Sequence, residues 1–289
     1  RAPEVYWTIL DKIEDKLPRL DSIAEVRRGV TSGCNQFFHL NRELIEQWGI
    51  EERFLKPLIK SPRDYYSIRF DPIPMWLFWC QDDRDKLKST AALRYIEWGE
   101  EQEFQNVPSC CSRRNWYSLR GPEFPNMLWP SAFFERHIVY ECPKGYCADK
   151  VFYTITGSIS TITAAFLNSS IVSLLVEVEG YHLNHGGIFV TTDWLAGLRV
   201  LTGDAPGIAE TYSKLASRDI LLSGDEHCQN DRRQLDILLL RQLGFSNDEA
   251  DIVLNEMYES INAHVAGRIH KARREVTKSG RMQIIRDNI

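Results

Sequence analysis

The sequence has no long apolar segment. Its longest apolar runs, at 75–80 and 237–240, fall far short of the roughly 20 residues that a membrane helix needs. The first residues, RAPEVYWTILDKIEDK, form a charged amphipathic pattern without the apolar centre of a signal peptide. We therefore expect no membrane span and no secretory signal.

The cysteines do not form the regular, even-numbered pattern of a disulfide framework. The chain of 289 residues contains seven of them at irregular spacings, which is typical of reduced thiols in a cytoplasmic protein. A tetrahedral zinc site is an alternative, because four thiolates would suffice. Adjacent cysteines make a poor chelate, so we favour thiols without metal for Cys110, Cys111, Cys142 and Cys147.

The chain also has no overall excess of positive charge. Its formal net charge is −5 and its pI is about 5.9, which argues against a protein that coats nucleic acid through charge alone. Acidic residues concentrate at 43–52 and 97–103, so other segments are locally basic. From Arg268 onward the chain carries a local excess of five positive charges. Such a tail can contact phosphates, and we select Lys271 and Arg274 for this role; a solvated helix end is the alternative.

Periodicity predicts a mixed α/β (α+β) fold. Aromatic and β-branched runs predict short strands in the first two thirds, with helices near 4–17, 83–103 and 163–178. The composition changes near residue 204, after which 207–222 and 229–276 read as helices. Within the last of these, Gly244 is a predicted C-cap and Ser246 a predicted N-cap. We therefore expect a β-rich domain over 1–204 and a helical C-terminal region over 205–289.

The most informative segment is GVTSGCNQFFHL, at 29–40. Two glycines permit backbone angles that side chains forbid, and Thr31, Ser32 and Asn35 offer hydroxyl and amide groups between and beside them. The segment predicts a polar recognition loop that continues into an aromatic strand. A turn that satisfies its own backbone is the alternative.

Four short strings together resemble a known family. In order along the chain they are GVTSGCNQFFHL, LKPLIK at 55–60, SRRNWY at 112–117 and FLNSS at 166–170. They resemble the C-terminal target-recognition (specificity) domain of TaqI-like, adenine-specific DNA methyltransferases of restriction-modification systems. The resemblance implies double-stranded DNA as a partner. It also implies a catalytic domain on the N-terminal side of the parent protein, with S-adenosylmethionine as the cofactor of that domain.

The catalytic motifs of such enzymes are absent from this sequence. There is no glycine-rich turn for the methyl donor and no D/N-P-P-aromatic motif, and the nearest string, Asp71-Pro72-Ile73-Pro74, favours an edge strand or a turn. We therefore assign no catalytic residue and no cofactor to this chain. The segment at 129–150, between SRRNWY and FLNSS, has no role in the resemblance.

Recognition is the function that remains. Reading base pairs requires forked donors and amides near base edges, and one short segment supplies such groups: Arg113, Arg114, Asn115, Trp116 and Tyr117. The alternative is a surface loop whose aromatic rings cover the core and whose arginines form ordinary ion pairs.

A second glycine-rich loop offers base or phosphate contacts through His182, Asn184 and His185. A plain loop is its alternative, and a metal is disfavoured because no acidic or cysteine partner lies at a ligand spacing.

The sequence thus predicts a DNA specificity domain of a phage-defence methyltransferase, itself non-catalytic. A stand-alone specificity subunit of a type I-like restriction system is the alternative, although such subunits usually carry two recognition domains. A nuclease is a third hypothesis, which the absence of a convincing metal-binding set disfavours.

Overall fold

The computed structural model describes the backbone of residues 2–14, 16–119, 121 and 124–286. It describes the side chains of these residues up to Arg274, except that of Pro206. The fold is mixed α/β, as predicted. The helices in the described residues are α1 (Glu4–Ile13), α2 (Asn35–Phe38), α3 (Arg42–Trp48), α4 (Ala91–Glu101), α5 (Pro108–Cys111), α6 (Thr161–Leu167), α7 (Ser170–Glu179), α8 (Thr192–Gly197), α9 (Pro206–Ala216), α10 (Ser223–Glu226), α11 (Asn230–Gln242) and α12 (Asn247–Arg286). The strands are β1 (Ala24–Arg28), β2 (His39–Leu40), β3 (Leu55–Ile59), β4 (Trp76–Phe78), β5 (Met127–Pro130), β6 (Tyr140–Glu141), β7 (Cys147–Ala148), β8 (Phe152–Gly157), β9 (Tyr181–His182) and β10 (Ile188–Phe189).

Two four-stranded sheets organise the structure. The first has the order β1-β8-β5-β6, and its neighbouring strands are antiparallel. The second has the order β2-β4-β3-β7, in which β3 and β7 are parallel. Each sheet contributes to a separate hydrophobic core. We call the first sheet and its core, which runs from Val5 to Ile261, the first lobe, and the second sheet and its core the second lobe.

Strands β3 and β7 lie between the two cores. Leu58 and Cys147, which are register partners, belong to the core of the second lobe. The next pair, Ile59 and Ala148, belongs to the core of the first lobe. Because successive strand residues point to opposite faces, these two strands form a shared wall.

The helices after residue 204 share the core of the first lobe. Side chains of α9, α11 and α12, among them Tyr212, Leu239 and Leu254, join the same buried cluster as the strands. Packing is therefore continuous across residue 204, and a domain boundary there stays a prediction.

The aromatic segment after Cys34 is not the extended strand that we predicted. Asn35–Phe38 forms one helical turn, and only His39 and Leu40 form a strand. Phe37 and Phe38 are both fully buried in the second lobe. In a strand, these neighbouring rings would point to opposite faces; the helical turn lets both enter one core.

The caps predicted near residue 245 are present. Gly244 has φ of +87°, where glycine is favoured. The Ser246 hydroxyl accepts a hydrogen bond from the Glu249 amide at 3.3 Å, and the Glu249 carboxylate accepts one from the Ser246 amide at 2.8 Å. This reciprocal pair is a capping box, and it starts α12.

The predicted helix over 163–178 is instead two helices, α6 and α7, bent by 44° relative to each other. They separate at Asn168 and Ser169, and Ser169 caps α7 by accepting from the Val172 amide. No single helix in the described ranges is long and apolar enough to span a membrane, although this bent pair passes that test by length and composition.

Asn168, in the FLNSS string, joins three parts of the first lobe. Its side-chain oxygen accepts from the Val139 amide at 2.8 Å, and its side-chain nitrogen donates to the carbonyls of Val139 at 2.8 Å and Ala164 at 3.1 Å. Its own carbonyl accepts from Arg232 at 2.6 Å. The residue is 1% exposed, so water cannot replace these bonds.

A buried charge network stands beside this junction. The Glu226 carboxylate accepts from Arg218 at 2.9 Å and from Arg232 at 3.0 Å, and Arg218 also donates to Asp231 at 2.8 Å. Burial by itself raises the pKa of Glu226, but the hydrogen bond from Arg218 and the charge of Arg232 outweigh it and lower that pKa.

We expect Asn168→Ala to lower the free energy of unfolding by about 3 kcal/mol, because it leaves the Val139 amide and carbonyl buried without partners. Urea unfolding followed by circular dichroism measures this loss. Asn184→Ala, at an exposed position, is the matched control. Equal stability of the two variants would contradict the structural role of Asn168.

We expect Glu226→Gln to destabilise the protein by about 3 kcal/mol at pH 7, since the buried Arg232 and the half-buried Arg218 lose their shared carboxylate. The folded-state pKa of Glu226 is lowered, so its stabilisation is complete above the unfolded value of about 4.3 and is lost as the pH falls through the folded value. The difference in melting temperature between wild type and variant should therefore narrow in acid. A difference that does not change with pH, or one matched by the exposed control Glu43→Gln, would contradict this account.

Candidate nucleic-acid interface

The predicted recognition loop begins where the chain crosses from the first lobe to the second. The Gly29 amide donates to the Phe152 carbonyl at 2.9 Å, and the Val30 amide donates to the Ala148 carbonyl at 2.8 Å. The Lys150 amide donates back to Val30 at 3.0 Å. A Cβ on Gly29 would lie 2.7 Å from the Ala148 carbonyl oxygen, so only glycine fits this crossing.

Arg113 binds the main chain of the loop that follows. The Arg113 guanidinium donates to the Ser32 carbonyl at 2.7 Å, to the Thr31 carbonyl at 3.4 Å and to the Trp116 carbonyl at 3.3 Å. Gly33 has φ of +82°, and a Cβ there would collide with the Ser109 side chain. Arg113 therefore fixes the main chain of the loop.

The three polar side chains of the loop differ in exposure. Ser32 is 1% exposed and its hydroxyl donates to the side-chain oxygen of Asn35. Thr31 and Asn35 are exposed. The pair of Ser32 and Asn35 satisfies part of the turn internally, and Thr31 and Asn35 present polar groups to solvent.

Trp116 and Tyr117 pack into the core of the second lobe. Trp116 Nε1 donates to Glu100 at 3.1 Å, and the Tyr117 hydroxyl donates to the Asp82 carbonyl at 3.1 Å. Tyr117 is 2% exposed. In this structure the two rings support the loop and present little surface to a ligand.

Arg114 and Asn115 lie at the surface beside the loop. The Arg114 side chain is 88% exposed and its guanidinium lies 3.6 Å from the Asp83 carboxylate. Asn115 donates to the other Asp83 oxygen at 2.9 Å. Since an exposed ion pair is weak, Arg114 can exchange this partner for another.

The crossing forms one wall of a cleft of about 250 Å³, which we call the junction cleft. One exposed cation is part of its lining, and two further exposed cations lie beside it, just after neighbouring strands. Arg28 and Thr31 line the cleft, and Lys150 and Lys60 follow the ends of the adjacent strands β7 and β3. This surface is locally basic within an acidic chain.

The pKa values of two buried groups near the cleft, His39 and Asp149, are affected by these cations. Burial, together with the charges of Lys60 and Lys150, lowers the pKa of His39 to about 4. Burial also raises the pKa of Asp149, against the opposing charges of Lys150, Lys60 and Arg28. Arg28 Nε also donates to the Lys150 carbonyl at 3.1 Å, and Lys60 follows the β3 residue that pairs with Ala148, so the three cations belong to neighbouring segments.

The second predicted loop is a hairpin, β9–β10, held on α12 by Arg268. The buried Arg268 guanidinium donates to the Glu177 carboxylate at 2.8 Å and also to the carbonyls of Gly186 and Phe134. The predicted contact residues on the hairpin and on α12 are exposed: His182, Asn184, His185, Lys271 and Arg274. The side chains of Lys278, Arg281 and Arg286, also in the predicted basic tail, lie outside the described residues.

The structure thus brings the predicted residues together in two groups, and DNA contact by either group stays a prediction. Sequence reasoning missed Arg28, Lys60 and Lys150. Arg28 directly precedes the glycine turn, which was an available signal. Lys60 and Lys150 are 90 positions apart in the sequence, and only the pairing of β3 with β7 brings them together.

The segment at 129–150 builds part of both sheets. It supplies the last residues of β5, the strand β6 and the strand β7. Within it, burial raises the pKa values of the Cys142 and Cys147 thiols to about 12. In the part of the chain that the structure describes, no group of three or more His, Cys, Asp or Glu residues is placed to hold a metal ion.

Comparisons with known proteins agree with this architecture. Type II methyltransferase M.AccI from Acinetobacter calcoaceticus is 27% identical over 146 residues, which cover 45% of this chain and 26% of that protein. The crystal structure of the type IIG restriction endonuclease BpuSI has a similar fold, with a TM-score of 0.64 at 11% identity over 93% of this chain and 34% of that one. The chain therefore spans about a quarter of the first protein and a third of the second.

The family match is to a domain. Residues 6–190 match the model of the C-terminal domain of type II methyltransferase M.Eco57I, a stretch that contains both sheets and the loop at the junction cleft. The predicted membership is confirmed: the chain belongs to this family of C-terminal domains of restriction-modification methyltransferases.

Proposed function

We propose that this chain reads double-stranded DNA as the specificity part of an adenine-specific methyltransferase. The observation that carries the proposal is the junction cleft, where a rigidly held polar loop begins next to Arg28, with Lys60 and Lys150 just after the neighbouring strands. Phosphate contacts position a protein on DNA, and polar side chains at base edges specify the sequence. The cleft supplies both kinds of group within one surface.

Each residue has a role in this proposal. Arg28 contacts phosphate through its guanidinium, and Lys60 and Lys150 contact phosphates through their ammonium groups. Thr31, Asn35 and Arg114 reach base edges, where a guanidinium suits guanine and an amide suits adenine. Arg113 positions the loop, while Trp116 and Tyr117 support it from the core.

The hairpin group provides a second contact with the duplex. His182, Asn184 and His185 are exposed at its turn, and Lys271 and Arg274 are exposed on the helix that supports it. Polar and cationic groups of this kind bind sugar and phosphate oxygens, which would fix the orientation of the duplex relative to the junction cleft.

Methyl transfer itself belongs to another domain in this proposal. The sequence has neither a glycine-rich donor turn nor a D/N-P-P-aromatic motif, so S-adenosylmethionine and the extruded adenine are assigned to a cytoplasmic parent protein's catalytic domain. A stand-alone specificity subunit is the weaker alternative, because the family match is to a methyltransferase domain.

We expect Lys60→Ala and Lys150→Ala each to weaken binding to every duplex alike. Each removes one phosphate contact, so the slope of log K against log salt should decrease in magnitude by about 0.9. The Lys150 amide keeps its bond to Val30, so the crossing remains intact. Fluorescence anisotropy over a salt series measures the slope.

Lys214→Ala is the control, since Lys214 is an exposed lysine paired with Glu210 on α9. An unchanged salt slope in both cleft variants would contradict phosphate contact at the junction cleft.

We expect Arg113→Lys to weaken the preference for one DNA sequence over others, while the slope of log K against log salt stays unchanged. Lysine keeps the charge, but its single ammonium nitrogen cannot occupy both positions from which the two terminal nitrogens of Arg113 donate, so the loop loses its fixed shape. Selection of duplexes from a random pool, followed by sequencing, measures the preference. Arg94→Lys, at an exposed site on α4, is the control. If Arg113→Lys selects the same DNA motif as wild type, with the same enrichment, Arg113 does not position the loop for recognition.

A further inference from the structure

A second cavity contains two large aromatic rings that are half exposed. It has a volume of about 400 Å³ and lies where the 61–66 turn, the 130–136 segment and the β9–β10 hairpin meet. Tyr66 is 47% exposed and Phe134 is 45% exposed, and both line this cavity. We call it the aromatic pocket. Exposed aromatic surface that is gathered in one concave site indicates a ligand.

The two rings are held in place by buried or anchored groups. The Arg136 guanidinium lies 5.0 Å from the Tyr66 ring centre, and its Nε donates to the Ile220 carbonyl at 2.9 Å. The Phe134 carbonyl accepts from the buried Arg268, and the Phe134 ring lies 5.7 Å from the His185 ring. The pocket is therefore formed before any ligand binds, which reduces the entropic cost of binding.

The aromatic pocket adjoins the cations of the junction cleft. Lys60 directly precedes Ser61, and Lys150 directly precedes Val151; both following residues line the pocket. Arg63 is exposed at the pocket rim. A chain of phosphates that passes Lys60 and Lys150 would therefore arrive at the two rings.

We propose that the aromatic pocket binds an unstacked nucleobase of a DNA strand whose phosphates pass Lys60 and Lys150. The inference rests on the proposed function, because it takes DNA as the partner. A planar base has two apolar faces that stack on aromatic rings, and flanking cations bind the adjoining phosphates. A free nucleotide shares the base but has no run of phosphates for the two lysines.

Binding of a short single-stranded oligothymidylate to the purified chain tests the pocket directly. Thymine cannot pair with itself in this strand, so its bases are available for stacking. We expect Tyr66→Ala and Phe134→Ala each to weaken binding about five- to a hundredfold, the range for loss of one stacked base. Tyr66→Phe keeps the ring and should bind as wild type does. Anisotropy of a labelled oligothymidylate measures all four proteins.

Tyr181→Ala is the matched control, because Tyr181 is 59% exposed, stacks on Phe189 and does not line the pocket. The proposal is overturned if the two pocket variants bind as wild type does, if Tyr181→Ala loses as much, or if wild type binds no oligothymidylate. Competition by free thymidine monophosphate at the affinity of the strand would overturn the assignment to a DNA strand.

A fully paired duplex, measured in parallel, separates the two proposals. Duplex binding that is weakened in the Lys60 and Lys150 variants but kept in Tyr66→Ala supports both. If wild type binds oligothymidylate through the rings but binds no duplex, the proposed function fails and the nucleobase pocket stands.

Discussion

The crossing of the main chain at Gly29 and Val30 is the constraint on which the rest depends. Three backbone hydrogen bonds fix it between β7 and β8, and the carbonyls of Ala148 and Asp149 leave no room for a side chain at Gly29. Strands β3 and β7 form a wall shared by both cores, so the crossing cannot shift without disturbing the packing of both lobes. A polar loop that starts at such a point inherits its rigidity, which is what discrimination between similar ligands requires.

The local charge at this crossing differs in sign from the charge of the whole chain. Arg28 lines the junction cleft, and Lys60 and Lys150 lie just after the adjacent strands, although the formal net charge is −5. Beneath them, His39 and Asp149 are almost fully buried, with Nε2 and Oδ2 3.4 Å apart. Burial lowers the pKa of His39 to about 4 and raises that of Asp149, so each group is pushed towards its neutral form. The positive field at the surface is then set mainly by the three exposed cations, and the acidic remainder of the chain disfavours indiscriminate binding.

The sequence predicts the features that depend on near neighbours. The capping box at Ser246 and Glu249, the glycine at the end of α11 and the position of the polar loop all follow from a few adjacent residues. The roles of the family strings do not, because they depend on partners that are distant in the sequence. Asn168 joins Val139, just before β6, to α11, and Tyr117 packs in a core; neither role can be predicted without the fold. The prediction of a strand over 35–38 is wrong because it was based on aromatic content alone. Phe37 and Phe38 both pack in one core, which a strand would not allow.

The arginines show why residue type alone does not identify a recognition surface. Arg113, Arg232 and Arg268 direct their forks at carbonyls or carboxylates within the protein, whereas Arg114 is 88% exposed. A guanidinium suits both uses, since its planar donors match any pair of well-placed oxygens. The partners decide between them: a guanidinium that donates to main-chain carbonyls of a loop must stay for the loop to keep its shape. Exposed groups such as Arg114 and Thr31 can be replaced without disturbing that frame. Under the proposed function, such a domain can change the DNA sequence that it reads by altering a few surface residues while the supporting arginines remain.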